Sequence, residues 1–252
     1  MERLYHGTSS KNLNKILENG IQPRGKRKSN WKEYPSRSDM VYLTNAYAPF
    51  FAVQSCKKDE KALVLELDKD ALDASNVYPD EDFIAQAIAQ QTNGSIEDVH
   101  EAVRDNLEDY QHHTDVSLGN LGNACYKGTV PQNAITRYCL IDIKERPDLG
   151  MTVLDPSISL LNYKFCGSRY RSIISWLFGD RADFEISIGP NDTWFQMMEA
   201  QKPGYTESIK TFFTNRAGIE VVESKIIVPY NSINTPNGAG YVQPERILLE
   251  SQ

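Results

Sequence analysis

The sequence has little of what a membrane protein or a secreted protein needs. Its 252 residues contain no uninterrupted apolar run of about 18, the length at which a membrane-spanning helix becomes possible. The chain starts with the charged stretch Met1-Glu2-Arg3-Leu4-Tyr5, whereas a signal peptide needs a longer apolar stretch there. We therefore expect a cytoplasmic protein that makes no contact with a membrane.

Cysteine and histidine are also scarce. The chain has 4 cysteines and 4 histidines, no two cysteines form a C-x-x-C pair, and no histidine stands at metal-ligand spacing from them. A zinc site is therefore not expected, and reduced thiols are typical of the cytosol. We expect no bound metal.

Positive charge is outnumbered by negative charge. With 27 Lys and Arg against 34 Asp and Glu, the formal net charge is −7, which argues against a protein that coats nucleic acid through its overall charge. One polar segment nevertheless concentrates cations around Trp31 and Tyr34. They are Arg24, Lys26, Arg27, Lys28, Lys32 and Arg37. Two interpretations stay open: a solvated loop, or a mobile basic loop that contacts the phosphate groups of a cofactor or a polynucleotide.

The hydrophobic pattern predicts one α+β domain spanning residues 1–252. A strand is expected at Arg3–His6. A helix follows, capped by Ser9 or Ser10 and ended by Gly20. The pattern predicts further strands at Met40–Thr44, Lys61–Asp68, Tyr126–Val130 and Ile135–Ile143, and a helix over Ala46–Ser55.

Two more helices are expected between the third and fourth strands. Asp80 can cap the first, and Ser95-x-x-Asp98 forms a capping box for the second. This gives a core of about residues 1–145 with a helical insertion at 80–115 and a C-terminal extension at 146–252. Within the extension, the pattern predicts helices at Ser172–Phe178 and Thr193–Ala200 and strands at Val221–Pro229 and Arg246–Leu249. The extension either completes the core sheet or forms a separate lobe.

The most informative stretch is Leu4-Tyr5-His6-Gly7-Thr8-Ser9, which a short helix ending in Gly20-Ile21 follows. The next predicted strand carries Val41-Tyr42-Leu43-Thr44. This arrangement resembles the H-Y group of the ADP-ribosyltransferase superfamily, which includes poly-ADP-ribose polymerases and DNA- or RNA-modifying bacterial toxins. The resemblance covers residues 1–70 well and 120–143 loosely, and it implies a split antiparallel sheet core.

The resemblance also implies a binding site for NAD. In that site His6 would hydrogen-bond the adenosine ribose, and the Gly7 backbone would hold the nicotinamide amide, where a side chain would block close approach. Thr8 or Ser9 would add a hydroxyl contact. Tyr42 would stack on the nicotinamide ring, and Phe50 or Phe51 would form a second wall.

One departure from the family pattern concerns its third motif. Family members usually carry a Glu on a later strand, where it holds the ribose and stabilises the positive charge that develops as nicotinamide leaves. Here that position falls at Cys125 or Tyr126, and neither is a carboxylate. This disfavours chain elongation and leaves single ADP-ribose transfer, a relocated acid or no catalysis.

Candidates for a relocated acid follow the third predicted strand. Asp80, Glu81 and Asp82 stand where a side chain can reach the cleft, although acidic residues in a first helical turn also complement the helix dipole. Glu223 is a second candidate. His112-His113 and Arg169-Tyr170-Arg171 are further polar groups, for which simple surface exposure is the alternative.

Three functions therefore stay open. The first is an enzyme that transfers one ADP-ribose from NAD to a macromolecule, with RNA or DNA favoured over protein because of the basic segment. The resemblance adds that such an enzyme can be an anti-phage or toxin–antitoxin effector with a neutralising antitoxin as partner. The second is NAD-dependent removal of an RNA 2′-phosphate. The third is a module that binds NAD or ADP-ribose without transferase activity.

Overall fold

A computed structural model describes residues 2–28, 35–57 and 59–142 continuously. Beyond them it describes shorter stretches at 171, 173–175, 177–178, 183–187, 196, 199–200, 203–215, 221–222, 225–229 and 245–248. The strands are β1 (Arg3–Ser9), β2 (Met40–Thr44), β3 (Ala62–Asp68), β4 (Val77–Pro79), β5 (Asn123–Lys127), β6 (Ile135–Ile141), β7 (Asp183–Ser187), β8 (Val221–Val222), β9 (Lys225–Pro229) and β10 (Glu245–Leu248). The α-helices are α1 (Leu13–Asn19), α2 (Ala48–Ser55), α3 (Glu81–Thr92), α4 (Ile96–Asp105), α5 (Thr114–Asn120) and α6 (Tyr205–Asn215).

The described strands form two antiparallel sheets, so the fold is α+β as predicted. The larger sheet has 7 strands in the order β10-β6-β3-β1-β2-β5-β4, and the smaller has 3 in the order β7-β9-β8. The C-terminal extension therefore contributes to both: β10 pairs with β6 of the core, while β7, β8 and β9 pair with one another. One alternative left open by the sequence, that the extension completes the core sheet, is confirmed for β10, whereas β7, β8 and β9 form a second sheet.

Local signals fix the first elements. Ser9 caps a 3₁₀ turn by accepting a hydrogen bond from the Lys11 amide, and Gly20 ends α1 with a φ of 73°. Asp80 caps α3, and Ser95 caps α4 through the Asp98 amide. Together with a 3₁₀ segment at Leu107–His113 and α5, these helices lie between β4 and β5 in the chain.

Several boundaries differ from the prediction: β1 continues past His6 to Ser9, and α2 begins at Ala48 and not at Ala46. The fourth predicted strand exists, but its predicted bounds, Tyr126–Val130, are wrong: β5 begins at Asn123 and ends at Lys127, where Gly128 turns the chain with a φ of 86°. Beyond the turn, Val130 forms an isolated bridge with Ile21. The sheet also has an edge strand, β4, that was not predicted, and its three residues are too few to show an alternating pattern.

Apolar clusters cover both faces of the core sheet. On one face Leu4, Val41 and Leu65 belong to a cluster that includes Ile16 of α1. On the other, Met40 packs with residues of β4, β5 and the helices: Tyr78, Ile84, Ala85, Val103, Leu107 and Cys125. Because successive side chains of a strand alternate between faces, Tyr42 shares the second face with Met40. That face carries the helices that follow β4.

Candidate functional site

The core sheet is split between its two central strands. β1 pairs with β3 over seven register positions, from Arg3 to Ser9, and β2 pairs with β5 over its whole length. In contrast, a single register pair, Tyr5 with Thr44, joins β1 to β2. The two strands that carry the predicted site residues therefore diverge where those residues lie.

The hydrogen-bond alternation shows which backbone groups face this gap. The Ser10 amide donates a hydrogen bond to the Lys61 carbonyl, so the backbone groups of the even-numbered residues of β1 bond to β3. Gly7 is odd-numbered and therefore directs its N–H and C=O toward β2. The Asn45 amide donates to the Gly122 carbonyl, so the odd-numbered residues of this segment bond toward β5. The even-numbered Tyr42 therefore directs its backbone groups toward β1. Continuing the Tyr5–Thr44 register would set Gly7 opposite Tyr42, but no register pair joins them.

The His6 imidazole occupies part of the gap. Its Nδ1 lies 2.9 Å from the carbonyl oxygen of Tyr42. A carbonyl only accepts, so Nδ1 carries the proton and donates it, which leaves Nε2 as an acceptor. Burial lowers the pKa of His6 below its ordinary value, although the bond to Tyr42 opposes the shift. The neutral ring therefore replaces one missing strand-to-strand hydrogen bond and keeps one acceptor nitrogen.

Gly7 is required for a reason other than the predicted one. A Cβ built on Gly7 would lie 2.0 Å from the Ala48 carbonyl oxygen and 2.6 Å from the Ala52 nitrogen. The glycine thus lets α2 pack directly on β1. The space that a side chain would need belongs to a helix and not to a ligand, while the Gly7 backbone groups still face the gap.

The phenol of Tyr42 leads from the gap to α3. Its hydroxyl accepts a hydrogen bond of 2.9 Å from the Arg37 amide and donates one to Oε1 of Glu81. Burial and the nearby Glu81 carboxylate raise the pKa of Tyr42. The imidazole and the phenol therefore have different hydrogen-bond partners. The imidazole is held by the Tyr42 backbone, and the phenol is held by the first residue of α3.

Two of the three candidate acids are buried. Asp80 is 6% exposed and Glu81 is 2% exposed. Asp80 accepts a bond from the Asp82 amide as the cap of α3. Burial raises the pKa of Glu81, although the Tyr42 hydrogen bond opposes the rise, and burial together with the neighbouring Asp82 and Glu81 charges raises that of Asp80 well above its ordinary value.

The third candidate acid, Asp82, points elsewhere. Its side chain is 64% exposed, and its Oδ1 lies 2.8 Å from Nε2 of His100, which is buried on α4. This pair ties the first turn of α3 to α4. Of the predicted acidic triplet, the structure brings only Glu81 into contact with Tyr42.

Two buried oxygens, one on α3 and one on β5, have no hydrogen-bond donor among the described residues. They are Oε2 of Glu81 and Oδ1 of Asn123. Asn123 begins β5 opposite Thr44, and the Ser117 hydroxyl links its carbonyl to the Asp80 amide at 2.8 and 3.1 Å. Buried oxygens of this kind are costly unless a donor reaches them. The sequence pattern did not single out Asn123, whose only signal was its position before a buried strand.

The predicted third-motif position carries no acid. Cys125 is opposite Tyr42 in the sheet, is fully buried, and directs its thiol to the Pro79 carbonyl at 3.3 Å. Burial raises the pKa of the Cys125 thiol well above its ordinary value. Tyr126 lies on the other face, in the cluster with Leu4. Among the described residues, Glu81 therefore provides the carboxyl group that hydrogen-bonds to Tyr42.

Most of the other residues predicted to contact NAD interact with groups of the protein itself. The Thr8 hydroxyl accepts a bond of 2.9 Å from Asn12, and Ser9 donates one of 2.6 Å to Glu60. The prediction that Phe50 walls the site is wrong, because its side chain is completely buried in the core. Phe51, whose ring centroid lies 5.4 Å from that of Phe50, is partly exposed and stays available as a wall.

The basic segment divides into exposed and engaged cations. Lys26 and Lys28 are exposed. Arg27 is also exposed, but its guanidinium donates to the carbonyls of Arg24 and Pro23, and the Arg24 guanidinium donates to those of Arg27 and Ser36. The Arg37 guanidinium is bound by carboxylates. Lys32, Trp31, Tyr34, Glu223, Arg169 and Tyr170 lie outside the described residues.

Three further observations concern metal ligands, the paired histidines and membrane-spanning helices in the part of the chain that the structure describes. In the described ranges, no group of three or more His, Cys, Asp or Glu side chains is arranged to hold a metal ion. His112 and His113 stack on each other, with centroids 4.0 Å apart. No helix within these ranges has the length and apolar character that crossing a bilayer requires. Compared with known proteins, the chain matches no family model and no curated sequence.

Proposed function

We propose that this protein is an NAD-dependent mono-ADP-ribosyltransferase with the split-sheet core of that superfamily, and that it modifies RNA or DNA in preference to protein. The observation that carries the proposal is the hydrogen bond from the Tyr42 hydroxyl to Glu81. It joins the aromatic residue of the resemblance to a buried carboxyl group, although the later strand that usually supplies the acid has none. A relocated acid then replaces the missing third-motif Glu.

The gap between β1 and β2 has groups that suit the carboxamide, the pyridinium ring and the adenosine ribose of NAD. A carboxamide has one acceptor and two donors, and Gly7 directs an N–H and a C=O into the gap. Nε2 of His6 is an unprotonated acceptor, which suits a ribose hydroxyl. The Tyr42 ring would stack on the pyridinium, a cationic ring that an electron-rich phenol attracts. Phe51 would lie at the edge of this site.

Glu81 would act on the bond that breaks. The nicotinamide–ribose C1–N bond breaks with its electron pair leaving on nicotinamide, so positive charge develops on the ribose. A buried carboxylate stabilises such charge more strongly than an exposed one, because water does not screen it. The acceptor then attacks C1 and loses one proton, which gives the ADP-ribosylated acceptor, neutral nicotinamide and H⁺. The cationic substrate itself favours the ionised form of Glu81.

The acceptor is assigned from local charge. Lys26, Arg27 and Lys28 form an exposed basic cluster on the segment that leads to Arg37, whose amide contacts Tyr42. In a chain of net charge −7, such a cluster is a local attraction for polyanions. A polynucleotide held there would present its bases or sugars next to the Tyr42 site.

A module that binds NAD or ADP-ribose without transferring it is the second candidate. The observation in its favour is that Cys125 and Tyr126 provide no carboxylate at the third-motif position. In that case Glu81 would serve only as the hydrogen-bond partner of Tyr42.

One experiment separates the two candidates. The protein is incubated with NAD labelled on its adenylate phosphate, alone or with RNA, DNA or protein, and released nicotinamide and label transfer are measured. Transfer to nucleic acid that falls steeply between about 50 and 200 mM salt supports the proposal. NAD binding without either product supports the binding module. Transfer to protein alone would overturn the assignment of the acceptor.

A further inference from the structure

Arg37 is the most heavily engaged cation among the described residues near the site. Its guanidinium forms two hydrogen bonds with Asp39, of 3.0 and 2.7 Å, and two with Glu108, of 2.8 and 2.9 Å. Bidentate pairs of this kind fix both the position and the orientation of the planar group. Arg37 is therefore held on one side by its own loop and on the other by the helical insertion.

The backbone of the same residue contacts the site. The Arg37 amide donates to the Tyr42 hydroxyl at 2.9 Å, and that hydroxyl donates in turn to Glu81. The Arg37 amide can only donate a hydrogen bond. The single proton of the Tyr42 hydroxyl is therefore directed toward the Glu81 carboxyl oxygen. The position of the Arg37 backbone thus sets the direction of the phenol O–H.

The Glu108 carboxylate is the anchor of this arrangement. It also binds Lys127 of β5 at 2.7 Å, so one carboxylate joins the loop before β2, the 3₁₀ segment at Leu107–His113 and the end of β5. Hydrogen bonds from Arg37, and then from Lys127, lower the pKa of Glu108 to about 2, although partial burial opposes the shift. The anchor is therefore ionised at neutral pH.

We propose that Arg37 is a positioning residue: Glu108 holds its side chain so that its amide directs the Tyr42 hydroxyl onto Glu81. This inference rests on the proposed function for its catalytic consequence and assigns Arg37 a role other than the phosphate contact that its place in the basic segment indicates. It also links the helical insertion to the geometry of the site.

The positioning role is tested first without NAD. Hydrogen exchange of the Arg37 amide is measured by NMR in the wild type and in Glu108→Gln and Glu101→Gln. Glu101 is a matched control, because it is also a carboxylate of the insertion and pairs with Arg104 of its own helix. We expect Glu108→Gln to lose about tenfold or more of the protection of this amide and Glu101→Gln to keep it. Equal protection in all three proteins would overturn the inference whether or not the protein uses NAD.

The catalytic consequence is tested by nicotinamide release and by oligonucleotide binding. Arg37→Ala is expected to lower kcat about 10- to 100-fold while KM for NAD changes little, because the Tyr42 hydroxyl is misdirected but the gap between β1 and β2 is unchanged. Arg37→Lys keeps the charge but not the bidentate geometry, so its kcat should fall between those of wild type and Arg37→Ala. The Arg37→Ala, Glu108→Gln double variant should be no worse than Arg37→Ala, because both changes break one unit.

Two results distinguish the possible failures. If wild-type protein releases no nicotinamide, the proposed function fails, and the amide exchange alone decides the positioning role. If the wild type is active and Arg37→Ala keeps its kcat while binding oligonucleotides more weakly, Arg37 is a phosphate contact and the inference is overturned. This alternative is a real competitor, because Arg37 also lines a surface depression of about 420 Å³.

Discussion

The Tyr42 hydroxyl donates a hydrogen bond to Glu81, a residue 39 positions further along the chain that begins the helix after β4. The contact joins the second strand of the sheet to the insertion and leaves the other Glu81 oxygen buried without a donor among the described residues. It explains how a site with no acid on β5 can still have one beside the aromatic ring.

Glu81 should make stability depend on pH in a defined direction. Its pKa in the folded protein is raised by burial, so above the ordinary Glu pKa the folded state keeps a proton that the unfolded state has lost. Stability from this group therefore falls as pH rises from about 4.5. Glu81→Gln, which still accepts from Tyr42, should have a higher Tm than wild type at pH 8, and the difference should shrink toward pH 4. A Tm difference that grows toward pH 4 would contradict the burial argument.

His6 should have two separable roles. His6→Asn places an amide nitrogen at the position of Nδ1 and keeps the bond to the Tyr42 carbonyl, whereas His6→Ala loses it. We expect His6→Ala to cost about 1–3 kcal/mol of stability and His6→Asn to cost less. Both lack Nε2, so both should bind NAD more weakly. Thermal melts and calorimetric titration measure the two effects, and NAD affinity unchanged in His6→Asn would remove His6 from the site.

Asn123 should contribute to ligand binding and little to folding. Its Oδ1 has no donor among the described residues, so Asn123→Leu should leave Tm nearly unchanged. Asn45→Leu is the matched control, because Asn45 donates to the Leu118 carbonyl at 3.0 Å and should lose about 1 kcal/mol. If the extra methyl volume of Leu disturbs the site, Asn123→Ala gives the same test. NAD affinity that is equal in wild type and both Asn123 variants would argue against a ligand at this oxygen.

Gly7 should be intolerant of even one added carbon. A Cβ would lie 2.0 Å from the Ala48 carbonyl, which belongs to the backbone of α2 and can move only with the helix. Gly7→Ala should therefore cost about 1–3 kcal/mol or more, measured by urea unfolding. Gly119→Ala serves as the control, since nothing lies within 4 Å of a Cβ there. Equal stability of the two variants would mean that α2 can shift away from β1 at little cost.

The elements that bear the site could be predicted because their signals are local. The apolar run of β2, the Ser9 and Asp80 caps and the end of α1 at Gly20 each depend on neighbours in sequence, and each lies where the pattern predicted. The contact of Tyr42 with Glu81 depends instead on how α3 packs over β2. The sequence therefore gave three acidic candidates of equal standing, and only packing separates Glu81 from Asp82.

Other features could not be predicted for the same reason. Phe50 and Phe51 are adjacent and chemically identical, and only the direction of α2 decides that Phe50 is in the core. Arg37 belongs by sequence to a basic segment, but Asp39 and Glu108 satisfy its charge, and Glu108 is distant in the chain. The pairing of β10 with β6 joins residues more than a hundred positions apart, which no local pattern encodes.

The most direct measurement is the rate of nicotinamide release from NAD by wild-type protein and by Glu81→Gln, with the NAD affinity of both determined by calorimetry. We expect the wild type to release nicotinamide. We expect the NAD affinity of Glu81→Gln to stay within a few-fold of wild type and its rate of nicotinamide release to be at least about 100-fold lower. Wild-type protein that does not bind NAD, or Glu81→Gln that releases nicotinamide at the wild-type rate, would contradict the assignment of Glu81 as the acid of an ADP-ribosyltransferase site.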